Sequence, residues 1–372
     1  MRLPWALLAL LLLAAAGCTR NAKQPALAKA AGYLWSLQGE DGGWHSHTYG
    51  LLRSGQSLTP FVLEALLQIP ADISPPHDRD ITRAISFIKS NTQPDGSLGT
   101  ADPTIPDYPN YSTALAVSAL RRAHSPGWEE QVRRMATYLR SQQFTEQNGW
   151  HKQDQVYGAW GMGGDRRTPP GTGHVDLSMT RYVVEALRAA APTSDPVFES
   201  ARVFIERCQN FDPKHPDDSD GGFFFSTTEF DTNKAGHDGQ HFRSYGTTTA
   251  DGILALLAAG AHPNDARVVA AKRWLTKHHR DMNVPGFVGE AYQRWPRGLA
   301  FYYSAATLQA APNTGATVID GLQRTQRPDG SWSNPENLVK EDDPLIATPF
   351  AIRALVAASN RQRESNPPTK YP

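Results

Sequence analysis

The chain has 372 residues, with 37 Lys plus Arg set against 37 Asp plus Glu. That balance argues against a polyanionic partner such as nucleic acid, which would ask for a basic patch. Two cysteines, Cys18 and Cys208, leave no disulfide once Cys18 is spoken for by the N-terminal signal described next, so packing has to supply the stability. The length fits two or three ordinary domains or one closed array of repeats.

The N-terminus opens Met1-Arg2, continues through an apolar run from Leu3 to Ala16, and reaches Ala14-Ala15-Ala16-Gly17-Cys18. A basic start before an apolar run too short to span a bilayer reads as a secretory signal. Cys18 after small residues resembles the bacterial lipobox, with Ala15 where Leu is more usual; cleavage by an ordinary signal peptidase is the alternative. The resemblance implies a signal peptide over 1–17, diacylglyceryl on Cys18 and a membrane anchor in a bacterial envelope. Thr19, in place of Asp, favours the outer membrane facing the periplasm.

After a linker over 18–25, the first helix is predicted from Ala26 to Gln38, stopping at Gly39-Glu40-Asp41-Gly42-Gly43-Trp44. The same stop recurs at Pro94-Asp95-Gly96-Ser97-Leu98, Asn148-Gly149-Trp150, Asp220-Gly221-Gly222-Phe223, Pro285-Gly286-Phe287 and Pro328-Asp329-Gly330-Ser331-Trp332. Between these turns lies a second repeat, a Thr followed six and seven residues later by Ala-Leu. It occurs at Thr59, Thr113, Thr180, Thr249 and Thr348, with a weaker copy at Ser304. Runs such as Ile253-Leu254-Ala255-Leu256-Leu257 are apolar on several faces and suit a helix buried nearly all round. Asp265 to Trp274 is amphipathic, as an outer helix should be. The two long steps between turns come from insertions at about Val156–Gly173 and Thr227–Arg243, rich in Gly, Asp and His; insertions on one side of an array usually build its working face.

Six pairs of outer and inner helix predict an all-α fold, an (α/α)6 barrel or toroid over 26–359, with an open superhelical solenoid as the structural alternative. The last inner helix is predicted over Asp343 to Ser359, and 360–372 reads as a disordered tail. Cys208, beside Phe204, reads as a small buried core residue.

The turns carry a recognisable pattern. Tyr33-Leu34-x-x-x-Gln38-x-x-x-Gly42-x-Trp44 resembles the QW repeat of squalene and oxidosqualene cyclases, shared in looser form by protein prenyltransferase β subunits. Gln143 before Trp150, Gln209 before Phe223, and Gln326 before Trp332 repeat it. The resemblance spans roughly Ala26 to Ser359 and implies the α/α toroid. It also implies that Gln38, Trp44, Gln143, Trp150, Gln209, Phe223, Gln326 and Trp332 are structural staples tying neighbouring hairpins.

The family's chemistry transfers only in part. In the cyclases the middle Asp of a D-x-D-D-T segment protonates the substrate. Here the segment is Asp176-Leu177-Ser178-Met179-Thr180, and Ser178 stands at the proton donor's place. In the prenyltransferases zinc is held by an Asp-x-Cys pair and a later His; the match here is Asp251-Gly252-Ile253 and Tyr303, a single carboxylate, too few ligands for zinc. His45, His47, His237, Asp238 and His241 have spacings a metal could use, yet surface His in Gly-rich loops are usually solvated, so neither metal nor cofactor is assigned.

The N-terminal ends of the inner helices should share one end of the barrel. Asp176, Ser178, Arg181, Tyr245, Thr247, Asp251, Phe301, Tyr302 and Tyr303 gather there, with Trp160 and Trp295 in loops nearby. Asp251 and Asp176 are the candidate acids. Asp176 also sits where it would cap its helix, and Asp251 falls inside one, where a carboxylate needs a partner or a polar cavity. Aromatic walls would suit an isoprenoid and could steady positive charge. The function expected is a membrane-anchored toroid of the cyclase and prenyltransferase type that acts on or binds an isoprenoid or other apolar lipid, with its protein partner unknown. The alternative is a non-catalytic scaffold or a glycan-handling toroid using Arg166, Arg167, His174 and Arg181.

Overall fold

The computed structural model describes residues 25–100, 104, 107–192, 194–216, 219–228, 232–239, 241–311 and 315–365. The expected signal segment, Cys18 and most of the linker lie outside them. The outer helices are α1 (25–36), α3 (Asp78–Asn91), α5 (Trp128–Ser141), α7 (Pro196–Arg207), α9 (Ala266–His278) and α12 (Gly315–Thr325). The inner helices are α2 (Leu58–Leu66), α4 (Pro109–Ala123), α6 (Leu177–Ala190), α8 (Gly246–Ala258), α11 (Ala300–Ala310) and α13 (Pro344–Ser365), with a one-turn helix α10 (Trp295–Gly298) ahead of α11.

The two classes differ as their sequences demand. Every residue of α2 is buried, including Thr59, Pro60 and Glu64. The outer helix α3 buries only Ala84, Ile85, Phe87 and Ile88, and places Asp78 and Asp80 in its first turn and Lys89 in its last, each at the favourable end of the helix dipole. Inner helices pack on one another in the order α2, α4, α6, α8, α11, α13, and α13 packs back on α2. That last contact closes the ring and rules out the open solenoid. Among the described residues there is no helix long and apolar enough to cross a membrane.

Two hydrogen-bonding devices repeat around the ring. In the first, a Gln side-chain amide donates to a turn glycine's carbonyl and to a carbonyl in the first turn of the next outer helix. Gln38 reaches Gly42 O and Asp80 O at 3.0 and 2.8 Å. Gln143 reaches Gly158 O and Val197 O, and Gln209 reaches Gly221 O and Arg267 O. Gln326 reaches Gly330 O and Ala26 O, both at 2.9 Å, and so joins the last hairpin to the first. In the second device, the Thr of the inner-helix repeat accepts the backbone N–H of the turn's closing residue. The pairs are Trp44 with Thr59, Leu98 with Thr113, Trp160 with Thr180, Phe223 with Thr249 and Trp332 with Thr348.

The third turn differs from the sequence expectation. Trp160, and not Trp150, holds the place of Trp44 and Trp332: its indole N–H donates to Leu139 O at 2.7 Å, as Trp44 does to Leu34 O and Trp332 to Leu322 O. Gly158 is the turn glycine, with φ +87°, and a Cβ there would overlap Ser200 O, whereas one on Gly149 would meet only the Pro169 ring at 3.5 Å. Residues 145–157 are therefore looped out before the turn, closed by mutual backbone bonds between Phe144 and the 158–159 pair. Trp150 packs edge-on against Phe144 and donates to Arg167 O within this inserted region. The Gly-Trp dipeptide at 149–150 imitates the repeat because the insertion carries one of its own.

The fifth turn has neither device. Ser304 returns its hydroxyl to Ala300 O inside its own helix. At the C-terminus, α13 runs to Ser365, beyond the expected end at Ser359, because no Gly or Pro follows Pro349 until Pro367. The expected disordered tail thus loses its first six residues to the helix, and 366–372 lie outside the described residues.

The closure device can be tested directly. Gln326→Ala removes both bridging bonds at a part-buried site and should cost about 1–3 kcal/mol. The measurement is denaturant unfolding, read as a lower midpoint at unchanged slope. An unaltered midpoint would show that α13 on α2 closes the ring without it.

Candidate functional site

The six inner helices surround the ring axis, and charged side chains divide the space between them. Asp251, on α8, is fully buried. Its Oδ2 accepts from Ser178 Oγ at 2.6 Å and from Tyr302 OH at 2.7 Å, and its Oδ1 lies 3.1 Å from Arg181 Nη1. Arg181 in turn donates to Glu185 Oε1 and Gln309 Oε1 and lies over the Tyr182 ring. A second cluster completes the divider: Glu64 takes Arg353 at 2.8 Å, Arg122 at 3.3 Å and the amide of Gln68. Burial pushes the Asp251 carboxyl up, while Arg181 and the two hydroxyl donors oppose that shift. With three donors on two oxygens, the group is built as an ionised acceptor. Arg181 is held firmly charged by Glu185, Tyr182 and Asp251 against its own burial.

On the C-terminal side of this divider lies a polar chamber of about 260 Å3 lined by Glu64, Gln68, Arg122, Arg181, Glu185 and Arg353. On the N-terminal side lies a cavity of about 290 Å3 that is mostly apolar. Its walls are Tyr108, Tyr111, Tyr182, Phe225, Tyr245, Tyr302 and Phe350, with Met162, Met179, Leu299 and Val339 between them. Tyr111 meets Tyr182 edge-on at 4.8 Å, and Tyr302 lies 5.1 Å from Phe350. The size is at the lower end of the range usual for small-molecule sites, about 300–1,000 Å3.

Few polar groups enter this cavity. Asp176 caps α6, accepting Met179 N–H at 2.7 Å, and its other oxygen is 2.8 Å from His174 Nε2. Thr247 Oγ1 is buried without a hydrogen-bond partner. Lys234 enters from the second insertion, its Nζ 3.2 Å from the centre of the Phe225 ring and 5.9 Å from that of Trp295. Desolvation lowers its pKa to about 8, although Asp176 and Asp251 favour its charge.

The structure brings together five of the residues expected at this end, namely Asp176, Ser178, Tyr245, Thr247 and Tyr302. Asp251 lies under the floor and meets the cavity only through Ser178 and Tyr302. Arg181 faces the other chamber. Phe301 and Tyr303 do not line the cavity, because successive helical residues point about 100° apart and only Tyr302 of the three faces the axis; the Tyr303 hydroxyl lies 3.5 Å from His279 Nδ1. Trp160 is a buried turn residue. Arg166 is exposed, and Arg167 shares a small surface pocket with His174. Among the described residues no three His, Cys, Asp or Glu side chains could hold a metal ion. Cys208 is buried and free, and burial raises its thiol far above the usual range.

Two important residues carried no sequence signal. Lys234 sits in an insertion with no repeat phase. Glu341, in the loop before α13, is fully buried and caps α11, accepting the N–H groups of Phe301 and Tyr302 and the amide of Asn334. Its burial raises its pKa to about 7. A larger groove of about 970 Å3 lies outside the ring, between Phe211, Asp212, Asp220, His241, Phe242 and Trp274. None of its lining residues lies on an inner helix.

A closed ring of six inner and six outer helices around an axial cavity is the α/α toroid, the fold of type II terpene cyclases. MstE from Scytonema, solved with its substrate geranylgeranyl dihydroxybenzoate, superposes with a TM-score of 0.60 at 15% identity, over 92% of this chain and 98% of that one. A protein from Actinoplanes superposes with a TM-score of 0.57 at 16% identity, over 91% and 99%. A glycosidase reaches 0.50 at 11% identity, over 91% and 96%. No protein-family model and no curated sequence matches the chain. These likenesses establish the fold.

Two outcomes are expected. Asp251→Ala removes one of the two carboxylates that Arg181 pairs with, leaving Glu185, and should cost about 1–3 kcal/mol in denaturant unfolding, and adding Arg181→Met should recover part of it. Glu341 titrates higher folded than unfolded, so the folded state holds more protons between about pH 4.5 and 7. Stability from this group is therefore greatest at the acid end and falls as pH rises through about 7, by on the order of 3 kcal/mol. Glu341→Gln should flatten that slope in unfolding curves taken from pH 5 to 7.5.

Proposed function

We propose that the protein binds an isoprenoid or similar apolar small molecule in the aromatic cavity, and does so at an envelope membrane to which Cys18 tethers it. The observation that carries this reading is the wall of that cavity. Seven aromatic side chains converge at one end of the ring, and a handful of polar groups sit among them. Such a lining is costly to leave in water and orients a flexible apolar chain by shape. The rings of Phe225 and Trp295 already face the Lys234 ammonium, so the same walls favour positive charge.

Protonation of an alkene from the place of the cyclase acid finds no support. Ser178 stands there and gives its proton to a hydrogen bond with Asp251, which is itself paired with Arg181. A reaction in this cavity would have to use Asp176, His174 or Lys234.

A second reading rests on the outer groove, whose Trp274, Phe211 and Phe242 alternate with Asp212, Asp220 and His241 in the manner of a sugar-binding surface. The first reading is favoured because its cavity lies among the N-terminal ends of the inner helices that the whole repeat builds, and its lining is mostly aromatic and apolar.

Native mass spectrometry with geranylgeraniol tests the choice. A one-to-one complex should form, and Val339→Trp, which fills the cavity mouth from a half-buried loop position, should weaken it at least ~10-fold while leaving the unfolding midpoint unchanged. Unimpaired binding by Val339→Trp would place the ligand elsewhere, and capture of oligosaccharide with no lipid would move the site to the outer groove. Cys18→Ala should shift the protein from the membrane to the soluble fraction of the envelope.

A further inference from the structure

Lys234 is an odd residue for an apolar cavity. Its stem and ammonium enter from the second inserted loop, between Asn233, whose side chain fixes the loop through Phe225 N–H, Ser226 N–H and Ser226 O, and the buried Ala235. The residue is half-buried and its nitrogen lies over a phenyl ring, so part of its hydration is lost, a cost that a structural role does not require. Two further groups stand close by. His174 and Asp176 are paired at 2.8 Å, and His174 lies 5.9 Å from the same Phe225 ring that Lys234 covers. Thr247 offers a buried hydroxyl with no partner.

Charge narrows what this amine could meet. Asp176 and Asp251 both act on Lys234 electrostatically and favour its charged form. An anionic head group brought into the cavity would meet their repulsion as well as the attraction of Lys234. A neutral carbonyl would not. At pH 7, a pKa of about 8 leaves an uncharged amine fraction on the order of 100-fold larger than that of an ordinary lysine. A desolvated lysine in an apolar pocket is the usual setting for attack on a carbonyl.

Resting on the binding reading above, we propose that Lys234 forms an imine with an apolar aldehyde or ketone held in the aromatic cavity. The neutral amine adds to the carbonyl carbon, and proton transfer from nitrogen to oxygen gives the carbinolamine. The carbon–oxygen bond then breaks, the oxygen leaves as water with the second amine hydrogen, and the carbon–nitrogen double bond forms. No electrons enter or leave. The His174–Asp176 pair supplies and recovers the proton that water needs to depart, and Thr247 is a donor for the carbonyl oxygen. The ligand class is thereby an isoprenoid or similar aldehyde or ketone, and the reaction that supplies it is the oxidation of an apolar alcohol or the cleavage of a longer chain.

The test incubates the full chain with farnesal and sodium cyanoborohydride and maps adducts by mass spectrometry, with farnesol binding followed in parallel by native mass spectrometry. One reduced adduct per chain is expected, at Lys234, formed on the order of 10-fold faster than at the exposed Lys152, Lys214 or Lys277. It should vanish in Lys234→Met, a variant that keeps the stem volume and should still bind farnesol. His174→Ala should slow adduct formation at Lys234 at equal farnesal occupancy, with occupancy read from the farnesol complex of the same variant. Adducts spread over surface lysines, with Lys234 unmodified while farnesol binds, would overturn the imine and leave the binding reading standing. Failure of both farnesal and farnesol to bind would sink the two together.

Discussion

Four of the six turns of this toroid are tied by one side-chain amide held between two backbone carbonyls. An outer helix stops in a glycine turn and the next outer helix begins beside it, so a turn carbonyl and a first-turn helix carbonyl with a spare lone pair come within reach of one side chain. One Gln amide has two N–H donors and reaches both sides, as Gln143 does between Gly158 and Val197. The Thr of the inner helix then takes the turn's own N–H. The glycine is obligatory because its α-carbon rests against the neighbouring outer helix: a Cβ at Gly330 would come within 2.5 Å of Lys29 O. The same contact, made from the last turn to the first helix, is where the array becomes a ring.

Closure has consequences at the axis. Six inner helices cannot all meet along one line, so the ring encloses a hole that must be filled, wetted or used. Charged residues fill its middle. Asp251, Arg181, Glu185, Glu64 and Arg353 would each be expensive to bury alone, but each is paired and further hydrogen-bonded. The divider they form separates an aromatic cavity from a polar chamber, and it places Ser178 and Tyr302 as hydroxyl donors bridging the carboxylate below and the cavity above. The cavity's character is therefore set by what surrounds Asp251, while Asp251 itself stays out of it.

The two insertions supply what the repeat cannot. A repeat places equivalent residues around a ring, which favours structural devices over asymmetric chemistry. Lys234, Phe225 and His174 come from the irregular segments flanking α6 and α8, and they break the symmetry at one side of the cavity mouth. Binding and chemistry on a scaffold of rigid helices commonly fall to such loops.

The α/α fold, the helix order and the Thr register could be read directly from the chain, because each depends on residues a few positions apart: an apolar period, a stop, a Gly with φ > 0, a Gln four residues before it. Most of the staple residues were legible for the same reason. Trp150 misled because a local Gly-Trp pattern cannot say which of two glycines lies against Ser200. Asp251 was visible as a carboxylate inside an apolar helix, but its ion pair with Arg181, 70 residues earlier, was not. Phe301 and Tyr303 were grouped with Tyr302 because adjacency in sequence hides the turn of the helix. Lys234 and Glu341 left no trace at all, since what makes them unusual is lost hydration, complete for Glu341 and partial for Lys234, and water is excluded only when distant segments close over a side chain. Sequence alone thus determined a six-hairpin helical array and the devices that join its neighbours. Tertiary structure decided which polar groups are dry, which are paired and which face the cavity, because desolvation and long-range charge pairing exist only once the ring has closed.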